Sequence, residues 1–318
     1  MSGLEKSELR LGFIPLNDCA PLVAAAEKGF FAAEGLDVTL SREASWANVR
    51  DRVSIGLLDG AHMLAPMPVA ASLGLGGDKA AMAAPMALNL NGSAITVSKA
   101  VAEAMRAADP AAMAEHPRTA RPLRRLIEAR RAAGETPLTF AVVFPYSIHN
   151  YELRYWLAAG GVHPDRDIRL KVAPPQRMVE QLAAGEIDGF CVTAPWNGVA
   201  VHQGLGEIML YASEWWSAGP DKVFGLRADW MEEHPNTVRA AVRALLKAAA
   251  WSDQPENRAE LASILSRPGY VGAPEEVVRL SLVGSPPYAQ GQDMGASHDY
   301  LVYHRYAASF PWRSHAVW

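Results

Sequence analysis

Residues Asp59 to Pro68 (DGAHMLAPMP) form a pattern typical of an anion-binding junction between a strand and a helix. The apolar run around His62 predicts a short buried strand. Pro66 is at the expected first residue of the following helix. That position tolerates proline, because the N–H that proline lacks has no partner within the helix there. Such a junction leaves backbone N–H groups and the positive end of a helix dipole facing outward. The stretch therefore indicates an anion site, with a plain strand-to-helix turn as the alternative.

Strand and helix patterns alternate around this junction. Asp18 and Ser45 are expected to cap the first two helices. Strand patterns cover residues 9–15, 36–40, 59–64, 86–90, 94–98, 138–144, 168–172, 189–192, 207–211 and 223–226. Helix patterns follow Asp18, Ser45 and Pro195 and cover residues 147–159, 176–184, 235–251, 255–265 and 274–282.

This alternation predicts an α/β fold with two lobes, each built on a mostly parallel sheet flanked by helices. The chain is expected to cross between the lobes twice, near residues 95 and 210. We assign residues 1–95 and 211–318 to lobe I and residues 96–210 to lobe II. A ligand cleft with a hinge is expected between them, since ligands collect beyond the carboxyl ends of parallel strands.

Composition excludes several classes of protein. The chain has 318 residues, a formal net charge of −4 and no run of Lys or Arg typical of nucleic-acid binding. Cys19 and Cys191 match no metal-ligand spacing and no disulfide framework. The polar N-terminus lacks the features of a signal peptide, so we expect a cytoplasmic protein without a membrane span. A chain whose signal peptide had been removed would look the same.

Two segments have unusual composition. Residues 100–134 are rich in Ala and Arg and predict helix with an exposed basic face, formed by Arg118, Arg121, Arg124, Arg125, Arg130 and Arg131. A solvated face is the simpler interpretation, and a partner surface is the alternative. Residues 285–318 are rich in aromatic residues and predict a tail that wraps the surface, with Tyr288, Tyr300, Tyr303, Tyr306, Phe310 and Trp312.

The sequence contains no signature of an enzyme. It lacks a nucleophile elbow, a Walker loop, a dinucleotide fingerprint and an HExxH motif. The glycine-rich residues 74–77 follow a helix rather than a strand, which is typical of a helix C-cap. The nine histidines form no close cluster, and no convergent metal ligands are nearby in sequence to His298 and His304. We expect no catalysis and no cofactor.

The chain resembles the nitrate/bicarbonate-binding (NrtA/CmpA-like) family of type II periplasmic-binding-protein folds. The matching segments cover nearly the whole sequence, and several run for seven or more residues. They are GFIPLNDCAPL from Gly12, SWANVRD from Ser45, residues 59–68, LNLNG from Leu88, His149-Asn150, RYWL from Arg154, APWN from Ala194 and Asp221-Lys222-Val223.

The resemblance implies a set of residues that hold a planar oxyanion between the lobes. The family's side-chain contacts fall on Trp46, His149 and Lys222, and a backbone contact falls around Val192 and Thr193. The family's further polar contact, often Gln, falls near Ser93 in the Asn91-Gly92-Ser93 turn, and Thr193 stands where Gly is usual. His62 and Asn89 are second choices, expected to support the cleft wall.

These residue types suit nitrate or nitrite. Lysine supplies a compact positive charge with three donors, and histidine and tryptophan each supply an N–H. Bicarbonate-binding relatives place an acidic residue at the position of Lys222, which recruits calcium. Lysine there repels a metal, so the resemblance implies a nitrate or nitrite ligand and no metal.

Within the family, the same lobes serve two roles. One is the cytoplasmic nitrate/nitrite sensor of the NasS type, which controls an RNA-binding ANTAR antiterminator of the NasT type. The other is the substrate-binding subunit of an ABC-type nitrate/nitrite importer. The polar start without a lipobox cysteine favours the sensor. We therefore expect a sensor with a NasT-like partner and no direct contact with nucleic acid. An enzyme on the same fold is the least favoured alternative.

Overall fold

The computed structural model describes residues 3–295, 297 and 299–305. Tyr306, Phe310, Trp312 and His298 lie outside the described residues. In chain order, the strands are β1 Glu8–Phe13, β2 Asp37–Arg42, β3 Gly60–Leu64, β4 Met82–Asn91, β5 Ser93–Ser98, β6 Thr139–Val142, β7 Arg169–Val172, β8 Gly189–Thr193, β9 Gly206–Tyr211, β10 Pro220–Arg227, β11 Pro287–Ala289, β12 Gln292–Asp293 and β13 Leu301–Val302.

The helices flank these strands. They are α1 Ala20–Glu27, α2 Phe30–Ala33, α3 Trp46–Ser54, α4 Met67–Leu73, α5 Lys99–Ala108, α6 Pro110–Ala114, α7 Arg121–Ala132, α8 Ile148–Ala159, α9 Met178–Ala183, α10 Trp196–His202, α11 Ala228–Glu233, α12 Pro235–Asp253, α13 Arg258–Ser266 and α14 Glu275–Leu282. In the part of the chain that the structure describes, no helix is both long and apolar enough to span a membrane.

Eleven of these strands form one sheet in each of two lobes, and β11 pairs with β12 in a separate two-stranded sheet. The first sheet has six strands in the order β13-β4-β10-β3-β1-β2, and the second has five in the order β7-β6-β8-β5-β9. Within them β1 runs parallel to β2 and β3, and β6 runs parallel to β7 and β8. The strands at the crossings, β4, β5, β9 and β10, make antiparallel pairs. The two-lobed α/β class is therefore confirmed, but the prediction of mostly parallel sheets was wrong, because the strands at the crossings pair antiparallel with their neighbours.

The chain passes between the sheets at a tight turn. Asn91 ends β4 with φ 60° and Gly92 follows with φ 93°, before β5 begins in the other sheet. A Cβ on Gly92 would lie 2.6 Å from Leu301 Cδ1 and 3.0 Å from Thr193 Cγ2. Glycine is required there both by the backbone conformation and by the close approach of the neighbouring chain. The return crossing is the segment between β9 and β10.

Serine caps begin the helices that carry the site. Ser45 accepts a hydrogen bond from the Asn48 amide at the start of α3, as expected, and Ser147 accepts one from the Asn150 amide at the start of α8. These caps satisfy N–H groups that a helix end would otherwise leave unpaired. They fix the first turns of α3 and α8, which carry Trp46 and His149.

The lobes touch across the cleft. The Asn17 amide donates to the Ala194 carbonyl at 2.9 Å, and Trp196 Nε1 donates to the Pro15 carbonyl at 3.0 Å. The cluster that contains α1, β1 and β3 continues into Phe190 and Val192 of the second lobe. The structure is therefore a closed arrangement, in which the walls of the cleft are in contact.

The sequence interpretations of the basic and aromatic segments were wrong in part: Arg121, Arg124, Arg125 and Arg131 are exposed as predicted, but one continuous helix, an exposed Arg118 and a tail confined to the surface were not found. Residues 100–134 form three helices, α5 to α7, because Pro110 and Pro117 remove the amides that one continuous helix needs. Arg118 is buried, donating to the Met113 and Ile208 carbonyls, and does not lie on an exposed face. In the tail, Tyr288, Tyr300 and Tyr303 are buried and β13 adds a strand to the first sheet.

Candidate functional site

Lys222 lies at the centre of a buried cluster of charges between the lobes. Its Nζ is 2.6 Å from Asp18 Oδ2 and 2.6 Å from Asp221 Oδ1, and all three residues are at most 1% exposed. Asp18 Oδ1 is in turn 2.8 Å from His62 Nε2. One ammonium therefore holds two carboxylates out of contact with solvent.

Irregular pairing of β10 places Asp221 and Lys222 in one site. Neighbouring residues of a regular strand point to opposite faces. Here the register of β10 against β4 shifts between Pro220 and Lys222, and again between Lys222 and Val223. Irregularities of this kind re-aim side chains beside functional sites. They allow two consecutive residues to meet.

The second lobe contributes Thr193 and His149. Thr193 Oγ1, at the end of β8, donates to Asp221 Oδ2 at 2.6 Å and is 3.3 Å from Lys222 Nζ. His149 Nε2, in the first turn of α8, is 2.7 Å from the same hydroxyl oxygen and 3.8 Å from Asp221 Oδ1. Because Thr193 has one proton and gives it to Asp221, the hydrogen between Thr193 and His149 is on Nε2. His149 Nδ1 has no hydrogen-bond partner among the described residues.

Trp46 forms an aromatic wall of the cluster. Its ring lies 5.6 Å from Lys222 Nζ and 5.3 Å, centroid to centroid, from the His62 ring. Trp46 is 1% exposed, yet its Nε1 has no hydrogen-bond acceptor among the described residues. A buried N–H without a partner costs about 1–3 kcal/mol, so this donor is one that an added acceptor would satisfy.

The remaining predicted site residues line the same region. Ser93 donates to Glu152 Oε2 at 2.6 Å, and its strand pairs it with Thr193. Asn89 is paired with Lys222 across β4 and β10, and its Nδ2 donates to the Asn91 carbonyl. Val192 is buried in β8 opposite Ala94, in the same lobe as Thr193. The structure therefore brings Trp46, His149, Lys222 and Thr193 together and places Ser93, Asn89, Val192 and His62 around them.

Burial and charge shift the pKa values in opposite directions. Burial lowers the pKa of His149 to about 4, and raises the pKa of Glu152 to about 8. Burial also opposes the charge of Asp18, but Lys222 and His62 outweigh it and hold the pKa of Asp18 well below its usual value. The carboxylates of Asp18 and Asp221 raise the pKa of Lys222 despite its burial. At neutral pH the ammonium and Asp18 are therefore charged, while Glu152 and His149 are neutral.

An apolar hollow lies beside this cluster. Its lining includes Ile148, which precedes His149, and Pro220 and Val223, which flank Asp221 and Lys222. Ala65, just after β3, is also part of the lining, and its amide donates to the Asp221 carbonyl. Within the described residues, no three His, Cys, Asp or Glu side chains are placed to hold a metal ion. Cys19 and Cys191 are free and buried.

Sequence reasoning missed Asp18 as a member of the site. It was expected to cap the first helix, but α1 begins at Ala20 without a side-chain cap, and Asp18 lies in a short 3-10 turn at Asn17–Cys19. Its position just after β1 is the available signal, because polar side chains at the carboxyl ends of parallel strands meet in the cleft. Asp221 was likewise not predicted as a member of the site, and it appeared only as the neighbour of Lys222 in a matching segment.

Comparison with known proteins gives the family. The model of the NMT1-like family matches residues 2–266. The chain is 35% identical over 320 residues to the nitrate/nitrite binding protein NrtA of Nostoc sp. (strain PCC 7120), covering 99% of this chain and 70% of that protein. It is 41% identical over 324 residues to the nitrate import ATP-binding protein NrtC of Synechocystis sp., covering all of this chain and 46% of that protein. The chain thus spans about half the length of that relative.

A solved structure agrees with this match. The crystal structure of the periplasmic nitrate-binding protein NrtA from Synechocystis PCC 6803 superposes with a TM-score of 0.89 at 33% identity, covering 98% of this chain and 79% of that one. These relatives carry the names of binding and transport proteins, in line with the expectation that the chain is not an enzyme. The chain belongs to the NMT1-like family, with the two-lobed periplasmic-binding-protein fold of NrtA.

Proposed function

We propose that this protein binds nitrate or nitrite between its lobes, at the cluster around Lys222. The observation that carries the proposal is the convergence of three predicted contacts from separate segments. Lys222 Nζ lies 5.6 Å from the Trp46 ring and 3.3 Å from Thr193 Oγ1, which lies 2.7 Å from His149 Nε2. The similarity to NrtA, a nitrate/nitrite binding protein, supports the same ligand.

The indole N–H of Trp46 gives the proposal a specific contact. Nitrate and nitrite accept hydrogen bonds in the plane of the ion, and the part of the chain that the structure describes provides no acceptor for the buried Trp46 Nε1. The ring itself provides a flat apolar wall against a weakly hydrated ion. A hydrogen bond to a charged partner contributes about 1.5–3 kcal/mol, or roughly ten- to a hundredfold in affinity.

Calorimetric titration with nitrate, nitrite, bicarbonate and sulfate tests the ligand, with calcium added in a second bicarbonate titration. We expect nitrate or nitrite to bind without a metal. Trp46→Phe keeps the ring and removes the N–H, and is expected to weaken binding roughly ten- to a hundredfold. The proposal would be contradicted by a protein that binds none of these anions. It would also be contradicted by a protein that binds bicarbonate alone among them, and only when calcium is present.

The finer role that we propose is a cytoplasmic sensor that controls a NasT-like ANTAR antiterminator. An exposed aromatic cluster supports a protein partner: Tyr155 of α8 is 60% exposed and stacks on Trp215 with ring centroids 4.7 Å apart, and Trp216 is 39% exposed. Trp215 and Trp216 lie in the segment that crosses between the lobes. A change in lobe closure would therefore alter this surface.

The alternative role is the binding subunit of a nitrate/nitrite importer. It is favoured by the 41% identity to part of NrtC, whose name assigns it to nitrate import. Size-exclusion chromatography of the protein with a NasT-like partner, with and without nitrate, separates the two roles. A complex that the anion dissociates supports the sensor. An anion-independent complex, or none, together with recovery of the native protein outside the cytoplasm, supports the importer.

A further inference from the structure

The carboxylate of Asp221 contacts the groups that the proposed site offers to an anion. Its Oδ1 lies 2.6 Å from Lys222 Nζ and 3.8 Å from His149 Nε2. Its Oδ2 accepts the Thr193 hydroxyl at 2.6 Å. A carboxylate is planar and singly charged, with two oxygens in one plane, as nitrate and nitrite are. The side chain of Asp221 therefore has the shape, charge and contacts of the proposed ligand.

The positive charges of the cluster are already balanced by its carboxylates, without an additional anion. Even with a proton on His62, Lys222 and His62 carry two positive charges against the two carboxylates of Asp18 and Asp221. His149, whose pKa burial lowers to about 4, adds no charge at neutral pH. Glu152, the other carboxyl that faces this region, is bonded to Ser93 and has a pKa of about 8. An anion added with both carboxylates in place would be an uncompensated buried charge, which is strongly unfavourable.

The two carboxylates differ in how they are held. Asp18 is bonded to His62 and Lys222, both in the first lobe. Asp221 is on β10 of the first lobe but accepts the hydroxyl of Thr193 in the second. Its contact with Thr193 therefore breaks when the lobes separate, while its ion pair with Lys222 and the contacts of Asp18 remain within the first lobe. Asp221 is also the one that contacts Thr193 and approaches His149, two of the proposed ligand contacts.

We propose that Asp221 is a specificity-determining residue whose carboxylate occupies the place of the anion and is displaced when a planar monoanion binds. The inference rests on the proposed function. It assigns the site to planar anions of single charge, because the anion must replace a carboxylate contact for contact. Sulfate, which is tetrahedral and doubly charged, fits neither the plane nor the charge.

The test compares Asp221→Ala with a matched control, Asp18→Ala. Each variant removes one carboxylate that lies 2.6 Å from Lys222 Nζ. Asp221→Ala is expected to bind nitrate at least about tenfold more tightly than the natural protein. It is also expected to bind acetate, which replaces the missing carboxylate and competes with nitrate. Asp18→Ala is expected to show no acetate binding and a smaller gain for nitrate.

The outcomes separate the inference from the proposed function. Equal gains in the two variants would show that total charge, and not the position of Asp221, sets the affinity, and would overturn the inference. Weaker nitrate binding by Asp221→Ala, without acetate binding, would do the same. Asp221→Asn keeps the shape of the side chain and is measured if the alanine variant does not fold, with tighter nitrate binding again expected. If the natural protein binds no nitrate or nitrite but Asp221→Ala binds acetate, the proposed function fails while the inference about Asp221 stands.

Discussion

Replacing Lys222 by methionine tests the centre of the site, because it removes the ammonium and keeps an unbranched side chain. In the natural protein, Nζ is 2.6 Å from both Asp18 and Asp221, with no exposed surface. Without the ammonium, these two buried carboxylates lose their shared counter-charge. Removing one partner of a buried ion pair costs about 3–5 kcal/mol. We expect the free energy of unfolding to fall by about that amount at pH 7.

The loss depends on pH in a defined direction. Lys222 is the leading charge that holds the pKa of Asp18 below its usual value. Without the ammonium, the pKa of Asp18 in the folded protein rises. The folded variant therefore binds protons more readily than the natural protein does. The loss of stability is therefore expected to be smaller at pH 5 than at pH 8. Urea unfolding at both pH values measures it.

The same variant is expected to lose anion binding. A lysine in contact with an anion at about 3 Å contributes roughly 5 kcal/mol of Coulomb attraction at an effective dielectric constant of about 20, and desolvation offsets part of it. We expect at least about a hundredfold weaker nitrate binding by calorimetry, which corresponds to roughly 2.7 kcal/mol.

Two further variants control for general damage. Lys171→Met removes a half-exposed lysine that pairs with Glu186, and is expected to change stability by less than about 1 kcal/mol. Lys222→Met combined with Asp221→Asn removes one of the uncompensated charges and is expected to recover part of the lost stability. A Lys222→Met protein with natural stability and natural nitrate affinity would refute the reasoning, since the ammonium would then support neither the fold nor the ligand.

Two predictions concern the buried groups beside the site. The pKa of Glu152 is about 8 in the folded protein, so the free energy of unfolding falls as pH rises from about 4.5 to 8. Glu152→Gln is therefore expected to be more stable than the natural protein by a few kcal/mol at pH 8 but not at pH 4. Equal stability of the two proteins at pH 8 would contradict this. The pKa of His149 is about 4, so its contribution is complete above about pH 6.5 and is lost as pH falls towards 4. His149→Gln is expected to flatten that part of a stability-against-pH curve from urea unfolding, and an unchanged slope would show that His149 does not produce it.

The elements that position the site could be predicted because their signals are local. The apolar run of β3, the serine before α3 and the serine before α8 each define an element within a few residues. The segment at 100–134 could not be predicted in the same way. Its composition favours helix throughout, and the breaks at Pro110 and Pro117 are visible only if each proline is weighed against the propensity of its neighbours.

The ionic partners of the site could not be derived from local signals. Asp18, about 200 positions from Lys222 in sequence, meets it only because β10 returns from the second lobe and inserts between β3 and β4. An aspartate just before a helix is also a common cap, and that local interpretation prevailed. For Asp221, alternation along a regular strand would place it on the face opposite Lys222, and only the irregular pairing with β4 turns both side chains to one place.

The closed arrangement itself explains why the proposed anion site contains two aspartates, Asp18 and Asp221. Lys222 is buried when the lobes meet, and a buried ammonium without a partner would oppose closure. Asp18 compensates it within the first lobe, and Asp221 adds the hydrogen bond to Thr193 that joins the lobes. Together with the Asn17–Ala194 and Trp196–Pro15 hydrogen bonds, this contact stabilises closure by a few kcal/mol at most, since each contributes about 1 kcal/mol. An anion therefore shifts the equilibrium between open and closed lobes only by the difference between its own contacts and those of the carboxylate it replaces.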